Sequence, residues 1–103
     1  MATDTDIRQV LRTVIDPELG VNIVDLGLVY RTEVEGPRVR VEMTMTSPAC
    51  PMGDYVKKLV DAAIRGAVAG VQQVDVVLVW EPAWDPDMMS DAARRQLDGG
   101  ASR

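Results

Sequence analysis

The chain has 103 residues, enough for one domain with a single core, and its hydrophobic content of 47% is typical of a globular protein. Its net charge of −5 argues against the clustered basic surface that nucleic-acid binding requires. It has no histidine and one cysteine, which excludes Cys-His catalysis, imidazole-ligated zinc and four-cysteine ligation of a cluster within one copy.

The first half of the chain predicts a helix followed by a β-hairpin. The helix has its apolar residues on one face and is expected to end at Asp16, because Pro17 disfavours helical backbone before it. Side chains then alternate over residues 28–34, and a turn is expected at residues 35–38. The apolar residues of the helix are Ile7, Val10, Leu11 and Val14, and those of the second strand are Val39, Val41, Met43 and Met45.

The second half predicts helix, strand and helix. Gly70 is expected to close the first of these helices. Residues 74–80 are apolar at both odd and even positions, which point to opposite faces of a strand. They predict a strand covered on both faces, with Trp80 in the core. A short helix is expected over residues 90–97. The apolar stripe predicted for the first of the two helices is Met52, Val56, Leu59, Ala63, Ile64 and Ala67.

The element order α-β-β-α-β-α indicates an α+β fold in which a small sheet has its helices mainly on one face. We expect one domain over residues 1–98 and a flexible tail over residues 99–103. No apolar run approaches the ~20 residues that span a bilayer, and the start of the chain is acidic, unlike a signal peptide. A cytoplasmic protein without membrane contact is therefore expected.

Cys50 precedes Pro51, which favours the first position of the predicted second helix. A thiol at a helix start lies near unpaired backbone N–H groups, which make it a better nucleophile or metal ligand. A lone cysteine is also among the most buried residue types and serves as a small hydrophobe. The position of Cys50 alone leaves both interpretations open. Nearby carboxylates such as Asp54 disfavour ionisation of the thiol, because the two negative charges repel each other.

Four polar residues are further candidates for a site near Cys50. Asp16 and Glu18 flank a proline, a pattern typical of a helix stop and turn as well as of a site. Asp25 lies in an apolar run, where a carboxylate must be hydrogen-bonded or face a cleft. Thr46, at the end of a strand, is either an ordinary strand residue or a hydroxyl at the same corner. If the loop after the first helix packs against the start of the second helix, these four residues and Cys50 lie in one cleft.

Trp84 lies in an irregular acidic segment with two methionines. A ring folded over the sheet edge is one interpretation. A partner-binding anchor is the other, since tryptophan and methionine are enriched in interface cores.

Three motifs, DPELGVNIVDLGLVY, TSPACP and VWEPAWDPDMMSDAARRQL, together resemble the metal-sulfur (iron-sulfur) cluster assembly family that includes bacterial SufT, the N-terminal part of PaaD and the eukaryotic cytosolic iron-sulfur targeting subunit. The resemblance covers residues 7–97. It implies an α+β domain of the iron-sulfur cluster assembly (FSCA-like) type and a role in maturing iron-sulfur proteins. The family's polar cluster matches Asp16, Glu18, Asp25, Thr46 and Cys50. The chain lacks the cysteine-rich extension of PaaD and a nucleotide-binding P-loop, which the oxygenase-maturation and ATPase carrier relatives have.

We therefore expect an accessory factor for iron-sulfur cluster assembly or delivery, with Cys50 as a transient ligand or contact residue and no catalytic residue. The expected partners are the iron-sulfur assembly machinery, apo client proteins and a second copy in a homodimer, and neither nucleic acid nor membrane. No cofactor is expected to be bound permanently, and an iron-sulfur cluster or iron is expected to bind transiently.

Two alternatives stay open at this stage. A small thiol enzyme would use Cys50 as nucleophile and Asp16, Glu18 or Asp25 as acid or base, but the chain has no histidine to activate the thiol. A non-catalytic adaptor would bind partners through Trp84 and merely pack Cys50.

Overall fold

A computed structural model describes residues 3–46 and 52–101, and its elements follow the predicted order with one short 3₁₀-helix added. The elements are α1 (Asp4–Leu11), β1 (Val29–Glu35), β2 (Arg38–Met43), α2 (Gly53–Ala67), β3 (Gln73–Leu78), the 3₁₀-helix (Pro86–Met88) and α3 (Asp91–Ala101). The predicted α+β class is confirmed, and α3 continues past its predicted end. Within the described ranges, no helix is long and apolar enough to cross a membrane.

α1 begins with a capping box between Thr3 and Asp6. The Thr3 hydroxyl accepts a hydrogen bond from the Asp6 N–H (3.2 Å), and the Asp6 carboxylate accepts one from the Thr3 N–H (3.0 Å). The helix ends at Leu11, before the predicted stop at Asp16. The chain tightens there, because the Val14 N–H bonds to the Leu11 carbonyl, three rather than four residues back (3.0 Å).

The sheet has the order β1-β2-β3, with β1 antiparallel and β3 parallel to β2. The predicted hairpin is confirmed, and Gly36 in its turn has a φ of +57°, which favours glycine. The buried face predicted for β2 is also confirmed. Its side chains Val39, Val41 and Met43 have no exposed surface.

α2 forms the connection between the parallel strands β2 and β3. Parallel neighbours need such a crossover, because the chain has to return to the same end of the sheet before the second strand begins. Its fully buried side chains Val56, Val60 and Ile64 lie every fourth residue and pack into the core. The predicted stripe was wrong at two positions, because it omitted Val60 and included Ala67. Ala67 ends the helix and is exposed.

Only the even-numbered residues of β3 pack on the core, which corrects the prediction that residues 74–80 are covered on both faces. Asp75 is exposed, and Trp80, predicted in the core, is 40% exposed. The strand ends at Leu78, so Trp80 lies beyond the alternating packing that places Val76 against the core.

Residues 82–90, here named the C-terminal strap, pack along the chain that leads into β1. The Tyr30 hydroxyl donates to the Pro82 carbonyl (2.8 Å), and the Trp84 indole N–H donates to the Leu26 carbonyl (2.8 Å). Burial raises the pKa of Tyr30, so its hydroxyl keeps its proton as a donor.

Gly27 is the point of closest approach to the strap. Its φ is +81°, and a Cβ at this position would lie 2.4 Å from the Met88 carbonyl oxygen. Only glycine fits here without moving the strap.

We expect Gly27→Ala to lower the free energy of unfolding by about 2–4 kcal/mol, since it adds a backbone clash to the strain of a positive φ. Gly36→Ala is the matched control, because Gly36 also has a positive φ but open space around it. That variant is expected to lose about 1 kcal/mol. Urea denaturation measures both, and equal losses would contradict the tight contact.

Candidate functional site

The carboxyl ends of β2 and β3 lie at one end of the sheet because the two strands are parallel. The start of α2 lies at the same end, where a Cβ on Gly53 would be 3.2 Å from Leu78 Cδ1 and 3.8 Å from Met45 Cγ. Ligand sites in sheets with parallel strands commonly form at such an end.

The segment that carries Cys50 connects the end of β2 to the start of α2. Thr46 follows β2, and Met52 is the residue that caps α2. Cys50 and Pro51 lie outside the described residues, and the predicted thiol at the helix start therefore stays a prediction. The described helix begins at Gly53, two residues after its predicted beginning.

Asp16 organises the turn that carries Glu18. Its Oδ1 accepts hydrogen bonds from the N–H groups of Glu18 (2.8 Å) and Leu19 (3.1 Å), and its carbonyl accepts one from Gly20 (2.8 Å). Asp16 is only 1% exposed. The predicted turn is confirmed, and the buried carboxylate has a structural function in holding it.

The same turn exposes a group of side chains at the surface. Glu18 is exposed, and two apolar neighbours, Ile15 and Leu19, are 46% and 36% exposed. The turn therefore presents a carboxylate beside two apolar side chains at the surface.

Asp25 lies at the centre of a hydrogen-bond network. Its Oδ1 accepts from the Arg12 guanidinium (3.0 Å) and the Ser90 hydroxyl (3.1 Å), and its Oδ2 accepts from the Asn22 amide (2.7 Å). Its carbonyl accepts from the Ser90 N–H (2.7 Å). Of the two environments that the sequence left open for Asp25, the structure shows the hydrogen-bonded one.

These contacts lower the pKa of Asp25. The hydrogen bond from Asn22 is the largest cause, partial burial opposes it, and Ser90 and the positive charge of Arg12 add to the lowering. Asp25 is therefore a carboxylate at neutral pH with its oxygens already occupied, which does not suit a general acid or base.

The two strand-end threonines differ in burial. Thr46 is half-buried beside the segment that carries Cys50. Thr44 is fully buried, and its N–H donates to the Leu28 carbonyl (2.8 Å). The sequence did not single out Thr44. It lies between Met43 and Met45 of the predicted buried face, so alternation predicts that it faces solvent.

The three carboxylates Asp16, Glu18 and Asp25 do not form one metal-binding group. Within residues 3–46 and 52–101, no group of three or more His, Cys, Asp or Glu side chains is placed to hold a metal ion. Asp16 and Asp25 instead stabilise two adjacent parts of the loop before β1.

Sequence and structure comparisons find extensive similarity. The chain matches the family model of an iron-sulfur cluster assembly protein over residues 4–76. It is 43% identical to an Fe-S protein maturation auxiliary factor of Porphyromonas gingivalis, over 94% of this chain and 92% of that protein. It is 45% identical to the Fe-S protein maturation auxiliary factor SufT of Staphylococcus aureus, over 82% of this chain and 96% of that protein. A crystal structure of a domain of unknown function from Bacillus anthracis has a TM-score of 0.88 at 38% identity, covering 92% of this chain and 91% of that chain.

We expect Asp25→Asn to lower the free energy of unfolding at neutral pH by about 1–3 kcal/mol, because it removes a charged acceptor from a partly buried network. Asp87→Asn is the matched control. The Asp87 carboxylate pairs with Arg94 in solvent (3.2 Å), so its loss is expected to cost less than about 0.5 kcal/mol.

The effect of Asp25→Asn depends on pH with a defined sign. Because the folded-state pKa of Asp25 is lowered, its stabilisation is present above the ordinary value of 3.8 and is lost as pH falls through the lower folded value. Urea denaturation at pH about 7 and about 3 is expected to show the variant and wild type converging at the acidic pH. A difference that stays constant would show that the charge of Asp25 contributes nothing.

Proposed function

The chain belongs to the family of iron-sulfur cluster assembly proteins, and from this premise we propose that it is an accessory factor that assembles iron-sulfur clusters or delivers them to client proteins. The observation that carries the proposal is the similarity to the two maturation factors over most of both chains. The cluster is cargo in this function and passes through the protein.

Cys50 is the proposed contact with the cargo. Iron-sulfur clusters are held mostly by cysteine thiolates, commonly four, and each copy of the chain offers one and no histidine. One thiolate cannot house a cluster alone, so the remaining ligands come from a second copy or from the partner that donates or receives the cluster. This count favours transient over permanent binding of an iron-sulfur cluster or iron.

The start of α2 supports an anionic ligand near Cys50. Met52 caps the helix without a side-chain hydrogen bond to it, so within the described part of the chain no capping side chain takes up the first N–H groups. The positive end of the helix dipole at this position favours a thiolate or sulfide.

The other predicted site residues have two proposed functions. Asp16 and Asp25 shape the loop before β1 through their hydrogen bonds. Glu18, exposed on the Asp16 turn, and Thr46, beside the segment that carries Cys50, are proposed to contact cargo or client.

The proposed partners are the iron-sulfur assembly machinery, apo client proteins and a second copy of the chain, and the proposed compartment is the cytoplasm. Trp84 is half-buried and bonded to Leu26, which supports a function in holding the strap. Binding of a partner by its remaining exposed surface stays a prediction.

A complementation experiment tests the function. In a host deleted for its own gene of this family, we expect the wild-type chain to restore cluster-dependent enzymes under iron limitation and Cys50→Ala to give no more activity than the deletion. Arg95→Ala, on the exposed surface of α3, is the control and is expected to restore activity fully. Full activity of every cluster-dependent enzyme in the deletion strain would contradict the proposal.

A second variant separates the adaptor alternative. Trp84→Phe keeps an aromatic ring but removes the indole N–H that bonds to Leu26. We expect this variant to support client maturation in the same host. Loss of maturation by folded Trp84→Phe, combined with full function of Cys50→Ala, would establish the adaptor instead.

A further inference from the structure

Met88, in the C-terminal strap, places its sulfur beside a hydroxyl group. The Tyr30 hydroxyl lies 3.5 Å from Met88 Sδ and 2.8 Å from the Pro82 carbonyl oxygen, and it can donate to either atom. A phenol has one proton, so the two acceptors compete for it. The carbonyl is favoured in this structure, because a thioether sulfur is only a weak acceptor.

Solvent can reach this corner of the molecule. Met88 is half-buried and Pro82 is exposed, whereas Met43 and Met45 have only 0% and 1% of their surface exposed. Met89 is also half-buried, but its side chain packs on the core. Among these four methionines, Met88 therefore combines access to solvent with a polar neighbour.

The two ends of the strap are held differently. At its end, Ser90 bonds to Asp25 through both its N–H (2.7 Å) and its hydroxyl (3.1 Å). At its start, the Tyr30 hydroxyl donates to the carbonyl of Pro82, and a proline has no N–H with which to add a second bond. The proton of Tyr30 therefore holds the start of the strap.

We infer that Met88 is an oxidation site for peroxides, and that its oxidation moves the Tyr30 hydrogen bond from Pro82 to Met88. The sulfur gives an electron pair to one oxygen of hydrogen peroxide, so that a sulfur–oxygen bond forms and the O–O bond breaks. A proton passes to the departing oxygen, which leaves as water. The product is methionine sulfoxide, whose polar oxygen is a better acceptor than the thioether. The site needs neither Cys50 nor a cluster, so it does not depend on the proposed function.

The sulfoxide changes how the strap is held. With Tyr30 bonded to the sulfoxide oxygen, Pro82 loses its donor, and Trp84 becomes the next anchor along the strap. The Trp84 indole N–H, which donates to the Leu26 carbonyl (2.8 Å), is then subject to fraying from the start of the strap. The end at Ser90 keeps its own hydrogen bonds and is expected to stay closed.

Mass spectrometry tests the site. When the folded full chain is treated with a limiting amount of hydrogen peroxide, Met88 is expected to be oxidised at least about threefold faster than Met89, and Met43 and Met45 more slowly still. Dithiothreitol is added afterwards, because it reverses the reversible oxidation of the Cys50 thiol and does not reduce methionine sulfoxide. Oxidation of Met89 as fast as that of Met88 would overturn the inference.

Hydrogen exchange of the Trp84 indole N–H, measured by NMR, tests the moved hydrogen bond. We expect oxidation to speed this exchange at least about fivefold and to leave exchange of the Ser90 N–H within about twofold. Unchanged exchange at Trp84, or equal acceleration at Trp84 and Ser90, would overturn the inference.

Three variants assign the effect to its residues. Met89→Leu keeps Met88 and is expected to respond to peroxide as the wild type does, whereas peroxide changes the Trp84 exchange rate of Met88→Leu by less than about twofold. Tyr30→Phe has no phenol proton to move, so peroxide is expected to change its exchange rate by less than about twofold as well. A full response of either Met88→Leu or Tyr30→Phe would overturn the inference.

Discussion

The Asp25 carboxylate joins three parts of the chain, one of which, at Ser90, is 65 residues away in sequence. Arg12 follows α1, Asn22 lies in the loop before β1, and Ser90 precedes α3, and each donates a hydrogen bond to Asp25. Removing the acceptor would leave three donors without their common partner. The position of the C-terminal strap depends on this network, and the strap in turn covers the chain around Gly27.

The parallel pairing of β2 and β3 determines which features share one end of the sheet. It brings the two carboxyl ends and the start of α2 together, and in the sequence the segment that carries Cys50 connects Thr46 to Met52. It also leaves β3 at the outside of the described sheet.

The sequence predicted elements that local patterns determine. Alternation identified the buried face of β2, and the helical period identified most of α2, because these patterns reflect direct contact with the core. The place of β3 in the sheet could not be predicted, since the composition of a strand does not reveal whether another strand lies beside it. Trp80 and Trp84 show the same limit. Trp80 is exposed, whereas Trp84 bonds to a carbonyl 58 residues away in the chain.

For the candidate site, the sequence indicated residue types but not the contacts that the described residues make. The placement of Asp25 in an apolar run indicated a bonded carboxylate, but its partners Arg12 and Ser90 carry no local signal. Asp16 stabilises its turn, so the helix-stop and turn interpretation is confirmed, whereas its function in a site stays a prediction. The resemblance of three separated motifs identified the family where spacing alone left Cys50 undecided.

The central claim is that one thiolate per chain makes this protein a temporary holder of iron-sulfur cargo. Anaerobic reconstitution with ferrous iron and sulfide, followed by excess apo iron-sulfur protein, tests it most directly. We expect no more than about one iron atom per chain, loss of that iron in Cys50→Ala, and transfer of the bound iron to the apo protein. Iron that binds Cys50→Ala equally well, or that stays on the chain in the presence of the apo protein, would contradict the claim.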